Sequence, residues 1–279
     1  MPDEYILRID CPDETGLVHK ITGVLYHNQL NIIRNDEFVD KENGQFFMRT
    51  VFSGKTNPDK IMYGLQGILP NTARIYLTAK QVKNVVILVT KEHHCVSDLL
   101  IRHAFRELPM NIRAVIGNHQ VLEPLAGQFG VPFHYISHEG ISRETHEEQL
   151  AAVIQTYQPD YLILAKFMRV LTPGFTQRFP NKIINIHHSF LPAFIGANPY
   201  RQAYNRGVKI IGATAHFVND NLDEGPIITQ DVTHVNHSQS TAQMAMAGKD
   251  VEKLVLAKAL KLVLEDRVFI YGNKTIIFE

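Results

Sequence analysis

The sequence predicts an α/β protein built from two parts, a small α+β domain with an antiparallel sheet and a larger domain with a doubly wound sheet. Three observations lead to this fold class. Residues 5–79 follow the order strand, helix, strand, strand, helix, strand. Beyond residue 82, short β-branched apolar runs alternate with helical stretches. The length of 279 residues also favours two domains over one.

The elements of the first part are predicted from apolar spacing and turn residues. They are, in order, a strand at Tyr5–Ile9, a helix within Thr15–Leu30, a hairpin of NIIRNDEFVD and QFFMRTVFS around the turn KENG, a helix at Lys60–Leu69 and a strand at ARIYLTA. This βαββαβ order is typical of a ferredoxin-like domain, in which both helices cover one face of the sheet. We therefore assign residues 1–82 to this domain.

The second part, residues 83–279, is predicted to be Rossmann-like, because apolar strands separated by helices favour a mostly parallel, doubly wound sheet. The predicted strands are NVVILVT, AVIGN, PFHYI, DYLILA, KIINI, GATAHFV and PIITQDVTHV, followed by the hairpin FIYGNKTIIF. Helices are predicted at Val96–Leu108, Thr145–Tyr157, Tyr200–Arg206 and Ser240–Glu265.

The composition favours a cytoplasmic protein without nucleic-acid or membrane partners. Its 28 basic and 28 acidic side chains balance, so no positive excess attracts nucleic acid or an anionic membrane surface. No segment approaches the roughly 20 apolar residues that a membrane span needs. The 2 cysteines, Cys11 and Cys95, cannot form a disulfide framework and are typical of a reducing compartment.

Polar side chains lie at the end of one predicted strand and in the loop that follows a second predicted strand. Asn185 and His187 end the strand that begins with KIINI, and their spacing points both side chains to the same face. Asp223 lies in a turn-rich loop after the strand GATAHFV. Ligands of open α/β sheets bind beyond the carboxyl ends of strands. The three side chains would therefore meet if these two strand ends are neighbours.

An amide, an imidazole and a carboxylate in one cleft have the chemistry for attack on a carbonyl group. The amide donates a hydrogen bond to the developing oxyanion. The imidazole moves a proton, and the carboxylate orients the imidazole. Taken one by one, however, an asparagine at a strand end is commonly a turn former and a single histidine is commonly a core residue.

Three ordered motifs carry a family resemblance. NIHHSFLP begins at Asn185, HFV begins at His216 and DEGPII begins at Asp223. In this order they resemble the signature of the folate-dependent formyltransferases, and the resemblance covers Val85–Val235. It implies a catalytic domain of that family in which Asn185, His187 and Asp223 act on 10-formyltetrahydrofolate.

The same resemblance implies where folate binds. DYLILAKFMRVL is similar to the folate-binding strand and loop of the family, so Arg169, Val170 and Leu171 are expected to line the pterin pocket. The loop that starts at Asn219 is expected to close over this pocket. His188 stands where the family usually has proline. It is expected to contact bound substrate or water, with a hydrogen-bonded loop histidine as the alternative.

The acceptor of the formyl group is predicted from departures from the transferase pattern. Members that formylate glycinamide ribonucleotide have a glycine-rich loop whose backbone N–H groups hold the acceptor phosphate. The equivalent stretch here, TKEHHCVSDLL, has no glycine, although Lys91 and His94 could bind an anion through their side chains. Members that formylate initiator tRNA carry a further basic domain, and this sequence shows no excess of positive charge.

Together with His188 and the loop PAFIGANPY, the missing phosphate loop resembles the hydrolytic branch of the family, the formyltetrahydrofolate deformylases. This likeness implies hydrolysis of 10-formyltetrahydrofolate to tetrahydrofolate and formate, which would supply formate for purine biosynthesis and balance one-carbon pools. It implies no cofactor besides the folate substrate. The alternatives are formyl transfer to an amine acceptor and a non-catalytic regulator that binds folate or an amino acid.

No metal is expected despite the 14 histidines. His93-His94 and His187-His188 are adjacent pairs, and side chains adjacent in sequence rarely point at one ion. We therefore predict that the chemistry uses side chains and water without a metal.

The first part resembles an ACT domain, with the segment DETGLVHKI opening its first helix. This likeness covers residues 4–80 and implies assembly into a dimer or tetramer and regulation by an amino acid. Glycine and methionine are the expected effectors because of their place in one-carbon metabolism. A dimerisation module without a ligand is the alternative.

Overall fold

The computed structural model describes residues 4–193 and 199–279. The chain forms two compact units. The first comprises the residues up to Gln81 together with Phe278–Glu279, and the second comprises Val82–Ile277. In the described ranges, no helix combines the length and the apolar character that crossing a membrane requires.

The first unit confirms the predicted βαββαβ order. Its elements are β1 (Glu4–Pro12), α1 (Leu17–His27), β2 (Asn31–Asp40), β3 (Gln45–Ser53), α2 (Pro58–Gln66) and β4 (Arg74–Ala79). The sheet has the order β2-β3-β1-β4, and neighbouring strands run antiparallel. Ile21 of α1 and Ile61 of α2 are completely buried in the hydrophobic cluster of this unit.

Two local signals set the starts of these helices. Gly16 has a left-handed backbone (φ +87°), which side chains with a Cβ rarely adopt, and it lets the chain turn from β1 into α1. Asn57 caps α2, where its side chain accepts the N–H of Asp59 at 2.9 Å. With this cap and Pro58 in the first turn, α2 begins before the predicted Lys60.

The second unit alternates strands and helices. Its strands are β5 (Lys83–Val89), β6 (Met110–Gly117), β7 (Phe133–Tyr135), β8 (Tyr161–Leu164), β9 (Ile183–His187), β10 (Ile210–Phe217), β11 (Ile227–His234), β12 (Val268–Tyr271) and β13 (Lys274–Ile277). Its helices are α3 (His94–Ala104), α4 (Glu123–Gln128), α5 (Arg143–Tyr157), α6 (Pro173–Thr176), α7 (Pro199–Arg206) and α8 (Thr241–Leu264).

The large sheet has the order β11-β10-β9-β8-β5-β6-β7. From β9 to β7 neighbouring strands are parallel, whereas β10 is antiparallel to both β9 and β11. KIINI and GATAHFV therefore do not end side by side at one edge, which was the condition stated above for a meeting of the three side chains. His187 at the end of β9 pairs with Thr214, and Phe217 at the end of β10 pairs with Ile184. Apolar patterns mark a strand but do not set its direction.

Both faces of the sheet are covered, as a doubly wound fold requires. On β5, the side chains of Val85, Ile87 and Val89 belong to the hydrophobic cluster that includes α3 and α8. The intervening Val86 and Leu88 belong to a second cluster that includes α5. Because β5 is buried on both faces, polar side chains are placed at the ends of the strands and in the loops that follow them.

Candidate active site

Asn185 and His187 lie on β9 and project from the same face, because successive side chains of a strand alternate. Ile184 and Ile186, which alternate with them, are buried in the hydrophobic cluster of the other face. Asn185 is half-buried and His187 is buried. The alternation of apolar and polar residues thus sets an amide and an imidazole side by side.

Asp223 reaches His187 from the loop 218–226, which joins β10 to β11. The antiparallel course of β10 starts this loop near the beginning of β9, and the loop folds back to place the carboxylate beside the imidazole. Asp223 has a left-handed backbone (φ +57°), a conformation that aspartate adopts more readily than most residues. The three predicted catalytic residues are therefore brought together by a loop and not by adjacent strand ends.

Hydrogen bonds within this loop, and between the loop and the end of α6, hold the loop in place. Asn219 Oδ1 accepts the N–H of Asn221 at 3.1 Å, a turn that asparagine commonly forms. Asp220 ties the loop to α6, because it accepts the Thr176 hydroxyl at 2.5 Å and Gln177 Nε2 at 2.9 Å. The position of the Asp223 carboxylate, the predicted catalytic one, therefore depends on hydrogen bonds that its loop neighbours make.

Asp223 and His187 form a carboxylate–imidazole pair. Asp223 Oδ1 lies 3.2 Å from His187 Nδ1, which assigns the proton to Nδ1 as the donor. His187 Nε2 is buried and has no hydrogen-bond partner among the described residues. Burial alone would raise the pKa of Asp223, but the hydrogen bond from His187 and the electrostatic influence of the neighbouring imidazoles lower it below its usual range. The carboxylate is therefore ionised at neutral pH.

His216 is a site residue to which the sequence motif assigned no role. It pairs across the sheet with Asn185, and its Nε2 lies 3.2 Å from Asn185 Nδ2. His216 Nδ1 donates to the carbonyl of Phe217 at 2.9 Å, so Nε2 is left to accept the Asn185 amide. Burial lowers the pKa of His216 and keeps its ring neutral. HFV was the sequence signal, but only the strand register places His216 beside Asn185.

These side chains line a cleft of about 680 Å³, a volume typical of small-molecule sites. The predicted catalytic residues Asn185, His187 and Asp223 all lie on its wall. The predicted substrate-binding residues also line it, and these are Arg169, Val170, Leu171, Asn219 and His188. The structure thus gathers the predicted catalytic and substrate-binding residues around one cavity.

The loop 166–172, which carries Arg169, is anchored at two points. The N–H of Met168 donates to Thr90 Oγ1 at 2.9 Å. The N–H of Thr172 donates to Glu147 at 2.8 Å, and its hydroxyl donates to the same carboxylate. Glu147 lies on α5 and is buried. The loop that is expected to contact folate is therefore held by Thr90, which directly follows β5, and by Glu147 of α5.

His94 does not form the anion site that the sequence left open. It is buried in the first turn of α3, and its Nε2 lies 2.8 Å from the carboxylate of Glu252. Its Nε2 is therefore bound to an anion of the chain itself, while its buried Nδ1 has no hydrogen-bond partner among the described residues. Lys91 lines a separate cleft of about 400 Å³.

His94, Cys95 and Glu252 form a group whose ligand atoms all lie within 4.8 Å of one another, in the part of the chain that the structure describes. The ammonium of Lys166 already lies 3.1 Å from the Glu252 carboxylate and balances its charge. Burial, reinforced by Glu252, raises the pKa of Cys95, so this residue stays a thiol. Metals bind the thiolate form of cysteine, so a thiol at Cys95 disfavours metal binding at this group. The absence of a catalytic metal stays a prediction.

Two family models match the chain. The model described as "Formyl transferase" matches residues 83–260, and the ACT domain model matches residues 5–62. The first match spans more than half of the 279 residues and includes all residues of the cleft named above. The fold of each part is therefore the one that the sequence predicts.

Relatives match over nearly the full length. The formyltetrahydrofolate deformylase of Escherichia coli O6:H1 is 57% identical over 272 residues, which are 98% of this chain and 97% of that protein. The crystal structure of a formyltetrahydrofolate deformylase from Pseudomonas syringae pv. tomato has a TM-score of 0.95 at 37% identity and covers 100% of this chain and 95% of that chain.

A more distant solved structure matches only part of the chain. The glycinamide ribonucleotide transformylase from Symbiobacterium toebii has a TM-score of 0.68 at 30% identity and covers 74% of this chain and 98% of that chain. The full-length match to the deformylases, with both domains, distinguishes them from this partial match. The chain belongs to the formyltetrahydrofolate deformylase family.

Proposed function

We propose that the chain hydrolyses 10-formyltetrahydrofolate to tetrahydrofolate and formate. The observation that carries the proposal is the state of His187: its Nδ1 contacts Asp223 at 3.2 Å, and its Nε2 has no partner in the described chain. An imidazole in this state is prepared to act as a general base. The names of the near-full-length relatives support the identity of the substrate.

In the proposed reaction, a water oxygen bonds to the formyl carbon and the bond between that carbon and N10 of the folate breaks. His187 Nε2 takes the proton of the water and becomes an imidazolium, which Asp223 stabilises. Asn185 donates an amide N–H to the formyl oxygen as negative charge develops there. The proton on Nε2 then passes to N10, and the products are tetrahydrofolate and formic acid, which ionises to formate.

Substrate binding is assigned to the residues predicted for it. Arg169, Val170 and Leu171 contact the pterin, and the loop that begins at Asn219 covers it. His188 stacks beside His187, with a ring-centroid distance of 5.1 Å. Burial lowers the pKa of His188 to about 4, so at neutral pH this side chain offers an uncharged ring to the substrate.

We further propose that the reaction requires no cofactor, since water is its second substrate. Activity that survives dialysis against a chelator would support this proposal, and activity restored by added metal would contradict it.

The two free cysteines are buried, which supports a reducing, cytoplasmic setting. The formate released there would supply purine biosynthesis and balance one-carbon pools. Deletion of the gene should then create a requirement for formate or purines.

The two parts of the chain are assigned different tasks. Residues 83–279 are proposed as the catalytic domain, which contains the entire cleft. Residues 1–82 are proposed as a regulatory and oligomerisation domain that forms a dimer or tetramer and binds glycine or methionine. The match of the ACT domain model to residues 5–62 supports this assignment.

The experiment that tests the activity measures formate release from 10-formyltetrahydrofolate in buffer without an amine. The wild type is expected to release formate, and Asp223→Asn should lower the rate by about 100-fold or more, because it removes the partner that stabilises the imidazolium. Asp231→Asn, an exposed aspartate on β11, is the matched control. Formation of tetrahydrofolate that requires an added amine and releases no formate would indicate a transferase instead, and tight folate binding without turnover would indicate a regulator.

A further inference from the structure

A row of aromatic rings leads from the catalytic imidazole to a buried carboxylate. The ring of His188 lies 5.1 Å from that of His187, and the ring of Tyr200 lies 6.2 Å from that of His188. All three residues line the cleft. Tyr200 donates its hydroxyl to Glu252 of α8 at 2.7 Å. The wall beside His187 is therefore backed by a residue that the proposed reaction does not use.

Glu252 holds more of this wall than Tyr200 alone. Its side chain is 1% exposed, and it lies 2.8 Å from His94 Nε2 and 3.1 Å from Lys166 Nζ. Burial alone would raise the pKa of Glu252, but its hydrogen bonds and the nearby cations lower it to about 2. A buried carboxylate whose partners are all in place is costly to disturb. Tyr200 and Lys166, which both line the cleft, are therefore held in fixed positions.

Gly248 makes room for the same tyrosine. It lies one helical turn before Glu252 on α8, on the same face of the helix. A Cβ at this position would lie 2.1 Å from the Tyr200 hydroxyl oxygen and 2.4 Å from its Cζ. Glycine inside a helix costs about 0.5–1 kcal/mol relative to alanine. Helix α8 therefore positions Tyr200 in two ways. The missing side chain of Gly248 leaves room for the tyrosine ring, and Glu252 accepts the hydrogen bond of the tyrosine hydroxyl.

The fold does not by itself select water as the acceptor, since a structure named as a transformylase matches 74% of this chain with a TM-score of 0.68. We propose that Gly248 and Glu252 seat Tyr200 against His188 as a wall that admits water beside His187 and excludes primary amines. This inference rests on the proposed hydrolysis and makes Gly248 and Glu252 positioning residues that determine acceptor specificity.

Opening the wall should allow an amine to react in place of water. The amine nitrogen would bond to the formyl carbon, and the bond between that carbon and N10 would break. The proton lost by the amine would pass through His187 to N10. The products would be tetrahydrofolate and a formamide, without formate. The ratio of formate to tetrahydrofolate therefore reports which acceptor was used.

The test supplies glycinamide as the amine and measures formate, tetrahydrofolate and N-formylglycinamide. The wild type should release one formate per tetrahydrofolate at every glycinamide concentration. In Gly248→Ala, whose new methyl group displaces Tyr200, and in Tyr200→Ala, the ratio should fall below one as glycinamide increases, and the formamide should appear. Gly127→Ala is the matched control, because a Cβ on this helical glycine meets nothing within 4 Å.

The outcomes separate this inference from the proposed function. One formate per tetrahydrofolate in all active variants would overturn the wall and leave hydrolysis standing. No formate from the wild type would overturn hydrolysis itself. If Gly248→Ala and Tyr200→Ala fail to fold, Tyr200→Phe takes their place in the test, because it removes only the hydroxyl. If folded Tyr200→Phe loses all turnover, the inference is also overturned, because a wall that only selects the acceptor is dispensable for the chemistry.

Discussion

At the scale of single residues, the site depends on which nitrogen of each imidazole carries a proton. His187 Nδ1 contacts Asp223, and His216 Nδ1 contacts the carbonyl of Phe217. In both rings, Nε2 is therefore left as an acceptor. His187 uses it in the cleft, while His216 uses it to hold the amide of Asn185. The two histidines thus have the same tautomer, and the proposed mechanism gives them different tasks, proton transfer for His187 and orientation of the oxyanion donor for His216.

The role of His216 predicts a non-additive pair of substitutions. Asn185→Ala should lower kcat by about 100- to 1,000-fold, the usual effect of losing one oxyanion donor. His216→Phe keeps a ring in the site but removes the acceptor of the amide, so it should lower kcat by a smaller factor. The double variant should match Asn185→Ala alone, because His216 acts through Asn185. Steady-state kcat of the four proteins checks this, and factors that multiply would contradict it.

At the scale of elements, the short helix α6 anchors both loops of the cleft. Thr172 caps its start, accepting the N–H of Phe175 at 3.3 Å, and is itself bound by Glu147 of α5. Thr176 at its end is bound by Asp220 of the loop that carries the catalytic carboxylate. Four residues of helix thereby connect the predicted folate loop with the catalytic loop.

Loosening the first of these anchors should affect binding more than chemistry. Glu147→Gln keeps the volume but replaces one acceptor oxygen with an amide donor, so it loses one of its two bonds from Thr172. We expect KM for 10-formyltetrahydrofolate to rise by about tenfold, since such a bond to a charged group contributes about 1.5 kcal/mol or more. The value of kcat should stay unchanged.

The neighbouring Glu148→Gln is the matched control for this prediction. Glu148 lies on the same helix, but its side chain is 62% exposed and pairs with Arg178. Its substitution should leave both KM and kcat unchanged, because exposed ion pairs contribute little. If Glu147→Gln lowered kcat and kcat/KM equally, the residue would act on the transition state and not on substrate binding.

At the scale of the whole molecule, each unit has a hydrophobic core of its own, and none of the cleft-lining residues belongs to the first unit. The first unit is matched by the ACT domain model over residues 5–62. Its turn from β1 into α1 depends on the left-handed Gly16. A loop of this kind exposes backbone N–H groups to which a small ligand could bind.

Binding of the proposed effector should be visible as stabilisation. Glycine or methionine should raise the thermal midpoint of the full chain with increasing concentration, because a ligand that binds only the folded state stabilises it by mass action. Gly16→Ala should abolish this shift. Gly44→Ala is the control with matched strain, since Gly44 also has a left-handed backbone and open space around it. An unchanged midpoint with either amino acid would favour a dimerisation module without a ligand.

The amino-acid sequence by itself determined the order of the strands, and it also yielded the predicted catalytic side chains. Alternation of Ile184 and Ile186 with Asn185 and His187 is a property of neighbouring residues, and so are the caps that start the helices. Ordered motifs added Asp223 and the loop around Arg169. Local periodicity and local motifs can be read without knowing which distant segments meet.

The tertiary structure alone decided the direction of β10, the partner of His216 and the seat of Tyr200. His94 and Glu252 are 158 positions apart in the sequence, and no local pattern links them. Their contact depends on strand order and on helix packing, which bring distant segments together only in the folded chain. The side chains that perform the proposed chemistry are therefore readable from the sequence, whereas those that position them are defined by long-range packing.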